Sequence, residues 1–283
     1  MKIEHPEQDF TLLSSGRAEP FDASVEYLFE LASQLAVAGR YGDKNRIYEQ
    51  WILDHPRALP DDRARVLINR HDQLRRKGQA AEALAGLQAM ETPQESVVIR
   101  EWLQAVANCH LALGDLTGAI SAQRWLISTL DEEVPDDKRV YFLEMLVHLL
   151  LLAGQADEEV EERLIQLDTL TRSDRLSGAM KQRAGESYLR LQGRYLAASG
   201  AFAEALEPLD RAYVGATVVR EKVVTGLIYL YCASQCGQIR SPESMEVWQY
   251  CRENLGALQE TDKIGYRQYW QNFLGLLEAA GAI

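Results

Sequence analysis

Six glycines recur along this chain at positions 39, 78, 114, 154, 200 and 237, with successive gaps of 39, 36, 40, 46 and 37 residues. Each closes one apolar, helix-forming stretch and opens another. Glycine just past a helix end adopts a left-handed backbone that costs any residue with a Cβ. The pattern predicts helix hairpins repeating about every forty residues. A single hairpin cannot bury its apolar face, so such units stack on one another. The clearest copy runs Leu189-Arg190-Leu191-Gln192-Gly193-Arg194-Tyr195-Leu196 to Gly200 and continues Ala201-Phe202-Ala203-Glu204-Ala205. Ala83, Ala119 and Ala205 each stand five residues after a glycine, where a small side chain lets the second helix lie close to the first. The copies after Gly154 and Gly237 break this rule, with Glu159 and Pro242 in that place.

Helix pairs are expected over 22–57, 61–91, 94–131, 136–170, 174–217 and 219–256, with a final helix from Thr261 to Ala279. Their joints carry stop and start signals at Pro56/Pro60, Pro93, Pro135, Ser173-Asp174 and Ser241-Pro242. Asp61-Asp62 and Asp136-Asp137 stand where helix N-termini favour negative charge. No strand alternation is present. Residues 1–20 read as a flexible arm, and 21–283 as one helical-repeat domain, because no linker is long enough to separate two.

These residues resemble the tetratricopeptide repeat family. The match is best at Leu189, Gly193, Gly200, Ala205 and Ala212, and good at Leu103, Ala107, Gly114 and Ala119. Trp51-Ile52-Leu53-Asp54-His55-Pro56 is similar to that family's second helix with its inter-repeat proline. The mean spacing near 40 exceeds the family's standard 34, so these are long, degenerate repeats. The resemblance implies an all-α, right-handed α-solenoid of about six hairpins with a C-terminal capping helix. It also implies a non-catalytic scaffold that binds a protein or peptide in a concave groove, as an adaptor, assembly factor or chaperone. The alternative it leaves is a signal-responsive regulator that takes a peptide or small ligand in the same groove.

Composition narrows the partners. With 30 Lys+Arg against 42 Asp+Glu the net charge is −12, which opposes general nucleic-acid binding and adhesion to anionic membranes. The most apolar run, Leu143 to Ala153, is too short for a membrane span and is interrupted by Glu144 and His148. No secretory signal opens the sequence. The four cysteines, Cys109, Cys232, Cys236 and Cys251, lie within helical patterns, so a reducing, cytoplasmic setting is expected. Cys232, Cys236 and Cys251 are read as packing residues rather than a zinc site, since no nearby His completes a ligand set. Glu144 and His148 share a helix face, but no second Glu/His set accompanies them. Phosphate-cradling glycine loops and nucleophile elbows are absent from the sequence. No catalytic residue, metal or cofactor is therefore assigned.

In the resembling family, places 2, 5, 9, 12 and 13 of the first helix, counted with the turn glycine as place 15, line the groove. Here they fall on Arg65, Ile68, Asp72, Arg75 and Arg76 in the second repeat and on Glu101, Gln104, Asn108, Leu111 and Ala112 in the third. The fourth repeat gives Tyr141, Glu144, His148, Leu151 and Leu152. The fifth gives Ser187, Arg190, Arg194, Ala197 and Ala198, and the sixth Val224, Leu227, Tyr231, Ser234 and Gln235. The expected partner-binding set is Arg65, Arg75, Arg76, Gln104, Asn108, Arg190, Arg194 and Tyr231. The arginine forks suit carboxylates, so the expected partner is an acidic protein or peptide segment. The leucines at these places either bind apolar side chains or belong to the core. The family's chaperone-tail clamp is matched only at Asn108, so a co-chaperone role is not supported. In the final helix, Tyr266, Tyr269, Trp270 and Phe273 are expected either to dock on the last hairpin or to offer a self-association surface.

Overall fold

A computed structural model describes residues 24–280. The chain divides into two compact bodies at Thr129/Leu130. The N-terminal body holds three hairpins: α1 (Val25–Val37) with α2 (Tyr41–Asp54), α3 (Pro60–Arg76) with α4 (Ala80–Gln88), and α5 (Ser96–Ala112) with α6 (Leu116–Ser128). The C-terminal body holds three more: α7 (Asp136–Leu152) with α8 (Glu158–Thr171), α9 (Gly178–Ala198) with α10 (Phe202–Gly215), and α11 (Val219–Gln235) with α12 (Pro242–Glu253). A 3-10 turn (Leu255–Ala257), α13 (Glu260–Gly265) and α14 (Arg267–Ala279) follow. The architecture is an all-α helical repeat of the solenoid class, with no strand among the described residues. The arm expected over residues 1–20 lies outside the described residues.

All six turn glycines have positive φ, between 71° and 84°, and no other described residue does. Each ends the first helix of its hairpin, designated helix A. Where a single residue separates the glycine from helix B, as after Gly78, Gly114 and Gly200, the expected alanines pack against helix A: Ala83, Ala119 and Ala205 are fully buried. After Gly154 and Gly237 the turn is longer, and helix B begins at Glu158 and Pro242. Val160 and Ser244 then take the buried position, which explains why Glu159 and Pro242 break the pattern. Gly193 is a second close approach, since a Cβ there would lie 2.5 Å from Leu209 Cγ.

Caps follow local chemistry. Asp115, Asp157, Ser177 and Ser241 accept from the backbone N–H three residues on. The start of α9 differs from expectation. Ser173-Asp174 does not open it; Ser177 caps it, and the Ser173 hydroxyl instead bonds the Asp136 carboxylate. Asp61 behaves alike, accepting from the N–H groups of Gln94 (2.8 Å) and Glu95 (3.3 Å). The acids at the starts of α3 and α7 thus tie the second and fourth repeats to the segment that leads into the next one.

Candidate functional site

Helices A stand side by side within each body, and one observation fixes their alignment. In the N-terminal body Arg65 lies 3.6 Å from Glu26 and 3.8 Å from Glu101, with its guanidinium 5.1 Å from the centre of the Phe29 ring. Glu26, Arg65 and Glu101 all occupy place 2, so equivalent residues of three successive repeats form a rung of alternating charge across the A-helix face.

The other residues expected to bind on this body are engaged internally. Arg75 and Arg76 both donate to Asp72, at 2.7 Å each for their shortest contacts. Gln104 Nε2 donates to Asn108 Oδ1 at 3.2 Å. Ile68 is buried. Arg65, Arg75 and Arg76 are thus each paired with carboxylates of their own face. Asp72 at place 9 carried that signal, because it stands one turn from both arginines on the same helix.

In the C-terminal body the A-helix face is indented by a cleft of about 460 Å³. Its lining includes Tyr141, Glu144 and His148 from α7, Ser187 and Arg190 from α9, and Val224 from α11, which are places 2, 5 and 9 of consecutive repeats. Arg183, Glu186, Arg220, Glu221, Thr225, Asp262 and Tyr266 complete the polar lining. Arg190 is shared between the Ser187 hydroxyl (3.1 Å) and Glu221 (3.5 Å). Burial holds the Glu144 carboxyl above the usual carboxylate range, against the opposing pull of the Ser187 hydroxyl and of Arg190 and Arg183.

Arg194 and Tyr231, also expected to face a partner, are covered. Arg194 is only 4% exposed; its Nη1 donates to His148 Nδ1 at 3.2 Å, and its guanidinium lies 4.7 Å from the Tyr266 ring centre. Burial, and next the Arg194 charge, push the His148 imidazole down to about 3, so it is neutral and accepts through Nδ1. That geometry makes His148 a structural acceptor rather than an acid–base group. Tyr231 stacks edge-on against Tyr269 (5.2 Å) and accepts from Gln268 Nε2 at 2.5 Å. Tyr269, Phe273 and Leu277 of α14 are buried in the core around α11. The aromatic face of the last helix thus docks on helix A of the last hairpin, the first of the two readings its spacing allowed. Leu227 and Leu151 are buried as core, while Leu111 and Leu152 are half-buried.

No group of three or more His, Cys, Asp or Glu among the described residues is placed to hold a metal ion. Cys109, Cys232 and Cys251 are buried free thiols and Cys236 is half-buried. Burial pushes Cys232 and Cys251 up to about 12, which leaves them as packing residues rather than nucleophiles. No described helix is long and apolar enough to cross a membrane.

No known protein family profile matches the chain, and neither does any curated protein sequence. Solved structures do. A putative kinesin light chain of Podosopora anserina, described as nearly identical TPR-like repeats, aligns at 18% identity and a TM-score of 0.52, covering 76% of this chain and 97% of that one. A tetratricopeptide repeat protein from Parabacteroides merdae aligns at 13% identity and a TM-score of 0.50, covering 89% and 99%. The fold is tetratricopeptide-like.

Proposed function

We propose that this protein is a non-catalytic scaffold that holds a protein or peptide segment against the A-helix face of its C-terminal body. The observation that carries this reading is the cleft itself, which opens at the groove places of three consecutive repeats and mixes arginine, carboxylate, hydroxyl and apolar lining. Arg190 and the rim guanidinium groups of Arg183 and Arg220 are the donors for an acidic partner. Arg194 and Tyr231 serve the same site indirectly, by holding the C-terminal segment. Arg65, Arg75, Arg76, Gln104 and Asn108 form a polar surface on the N-terminal body that an adaptor would use only by exchanging its internal ion pairs. The setting that suits these buried thiols is a reducing one such as the cytoplasm. The alternative, a regulator with a small ligand, is favoured by the cleft's volume, which falls in the range of roughly 300–1,000 Å³ typical of small-molecule sites.

Affinity capture from the native lysate, with wild type beside Arg190→Glu, tests the scaffold reading. A protein retained by wild type and lost from the variant supports it. Equal retention by both removes this cleft as the site. If neither form retains a protein and a small molecule raises the melting temperature of wild type alone, the regulator reading replaces it.

A further inference from the structure

Residues 258–270 cross the A-helix face of the C-terminal body. After the 3-10 turn the chain doubles back over the A-helix face. Asp262 grips Arg220 of α11 with two hydrogen bonds, Nε to Oδ2 at 2.7 Å and Nη2 to Oδ1 at 2.5 Å. A Cβ on Gly265 would meet Leu152 of α7 at 3.3 Å. Tyr266 covers the Arg194 guanidinium of α9 and sits 6.1 Å from the His148 ring of α7. The strap therefore touches helices A of three repeats, the span of a groove ligand. Two features mark these contacts as exchangeable. The Arg220 side chain is 48% exposed, so an incoming carboxylate reaches it while Asp262 is still bound. Arg194 is buried and forms no ion pair among the described residues; the neutral His148 imidazole, the Tyr269 hydroxyl and the face of the Tyr266 ring are its partners. The contact that the strap makes with Arg194 is a cation–π contact with Tyr266, which another aromatic ring can take over.

We propose that residues 258–270 are a built-in occupant of the groove, displaced by a partner peptide that carries a carboxylate and, about four residues later, an aromatic ring, taking over Arg220 and Arg194. The proposal rests on the groove reading above and adds the chemistry of its ligand and its self-inhibition.

The test uses the full chain and a fluorescent peptide copying residues 258–270. An intramolecular strap competes at an effective concentration on the order of millimolar. Opening it with Asp262→Asn/Tyr266→Ala is expected to tighten peptide binding at least about tenfold over wild type. Adding Arg220→Glu, or replacing the peptide's own aspartate by asparagine, is expected to abolish the gain. Tyr266→Ala alone, which leaves the ion pair in place, should give an intermediate gain and serves if the double variant fails to fold. Equal affinity for wild type and the opened variants overturns the proposal, and so does no binding to the opened variants at millimolar peptide. Those outcomes leave the capture result on Arg190 to be judged separately.

Discussion

Arg220 and Asp262, 42 residues apart in sequence, meet in a two-pronged ion pair that fastens the C-terminal strap to the start of α11. Asp262 also accepts from the Gln259 N–H at 2.9 Å, the reach-back half of a capping box, so one carboxylate both starts α13 and latches it. Its side chain is 6% exposed, against 48% for Arg220. The loss is therefore asymmetric: removing the arginine leaves a buried carboxylate with a backbone donor only. Arg220→Ala is expected to cost about 1–3 kcal/mol in urea unfolding. Arg220→Ala/Asp262→Ala should recover part of that loss, and a double variant as unstable as the single one would contradict the pairing.

His148 sets a pH dependence. Its pKa falls from 6.5 to about 3 on folding. The unfolded chain therefore binds the extra proton first, and the stability tied to neutral His148 is complete above pH 6.5 and drains away as pH falls toward 3. The groups that face it include the Arg194, Arg190 and Arg220 cations and the Asp262 carboxylate. By pH 5 the loss should reach about 1–2 kcal/mol. His148→Asn keeps an acceptor for Arg194 and cannot titrate, so its stability measured between pH 7 and 5 should lack that part of the slope. An unchanged slope would place the titration elsewhere.

Gly86 is a notch for an oversized residue. Place 8 of helix A is Ala107 in the third repeat and Gly193 in the fifth, but His71 in the second, and His71 is 6% exposed. A Cβ on Gly86 would stand 2.0 Å from His71 Cε1. Gly86→Ala is expected to lower stability by about 1–3 kcal/mol, as overpacking does. His71→Ala in the same chain should relieve it, and thermal melts of the two variants check the coupling.

The Glu26–Arg65–Glu101 rung is partly solvated, with side-chain exposures of 72%, 29% and 41%. Arg65→Met should change stability by only about 0–1 kcal/mol. The rung aligns repeats more than it stabilises them, and a loss well above that range would give it a larger part in the fold.

The turn glycines made the hairpins legible, because a left-handed residue at each helix end is a local demand that only glycine meets without strain. Ala83, Ala119 and Ala205 likewise announced close helix contact. The start of α9 was misplaced because Ser173-Asp174 carries the same capping chemistry as Ser177, and only packing shows Ser173 spent on Asp136. The site was less legible. Counting places located the A-helix face, yet charge alone could not show Arg75 and Arg76 both hydrogen-bonded to Asp72. Nor could aromatic spacing in Tyr266 and Tyr269 say that these rings would cover Arg194 and Tyr231, a pairing made by tertiary contact.

On the scaffold reading proposed above, a partner segment lies on the A-helix face of the C-terminal body. Site-directed photo-crosslinking tests it most directly, with a benzoylphenylalanine placed at Tyr141 in the cleft or at Arg211 on helix B of the fifth repeat, during capture from native lysate. A covalent adduct with the retained protein is expected from position 141 and none from position 211. Adducts from position 211 alone would contradict it.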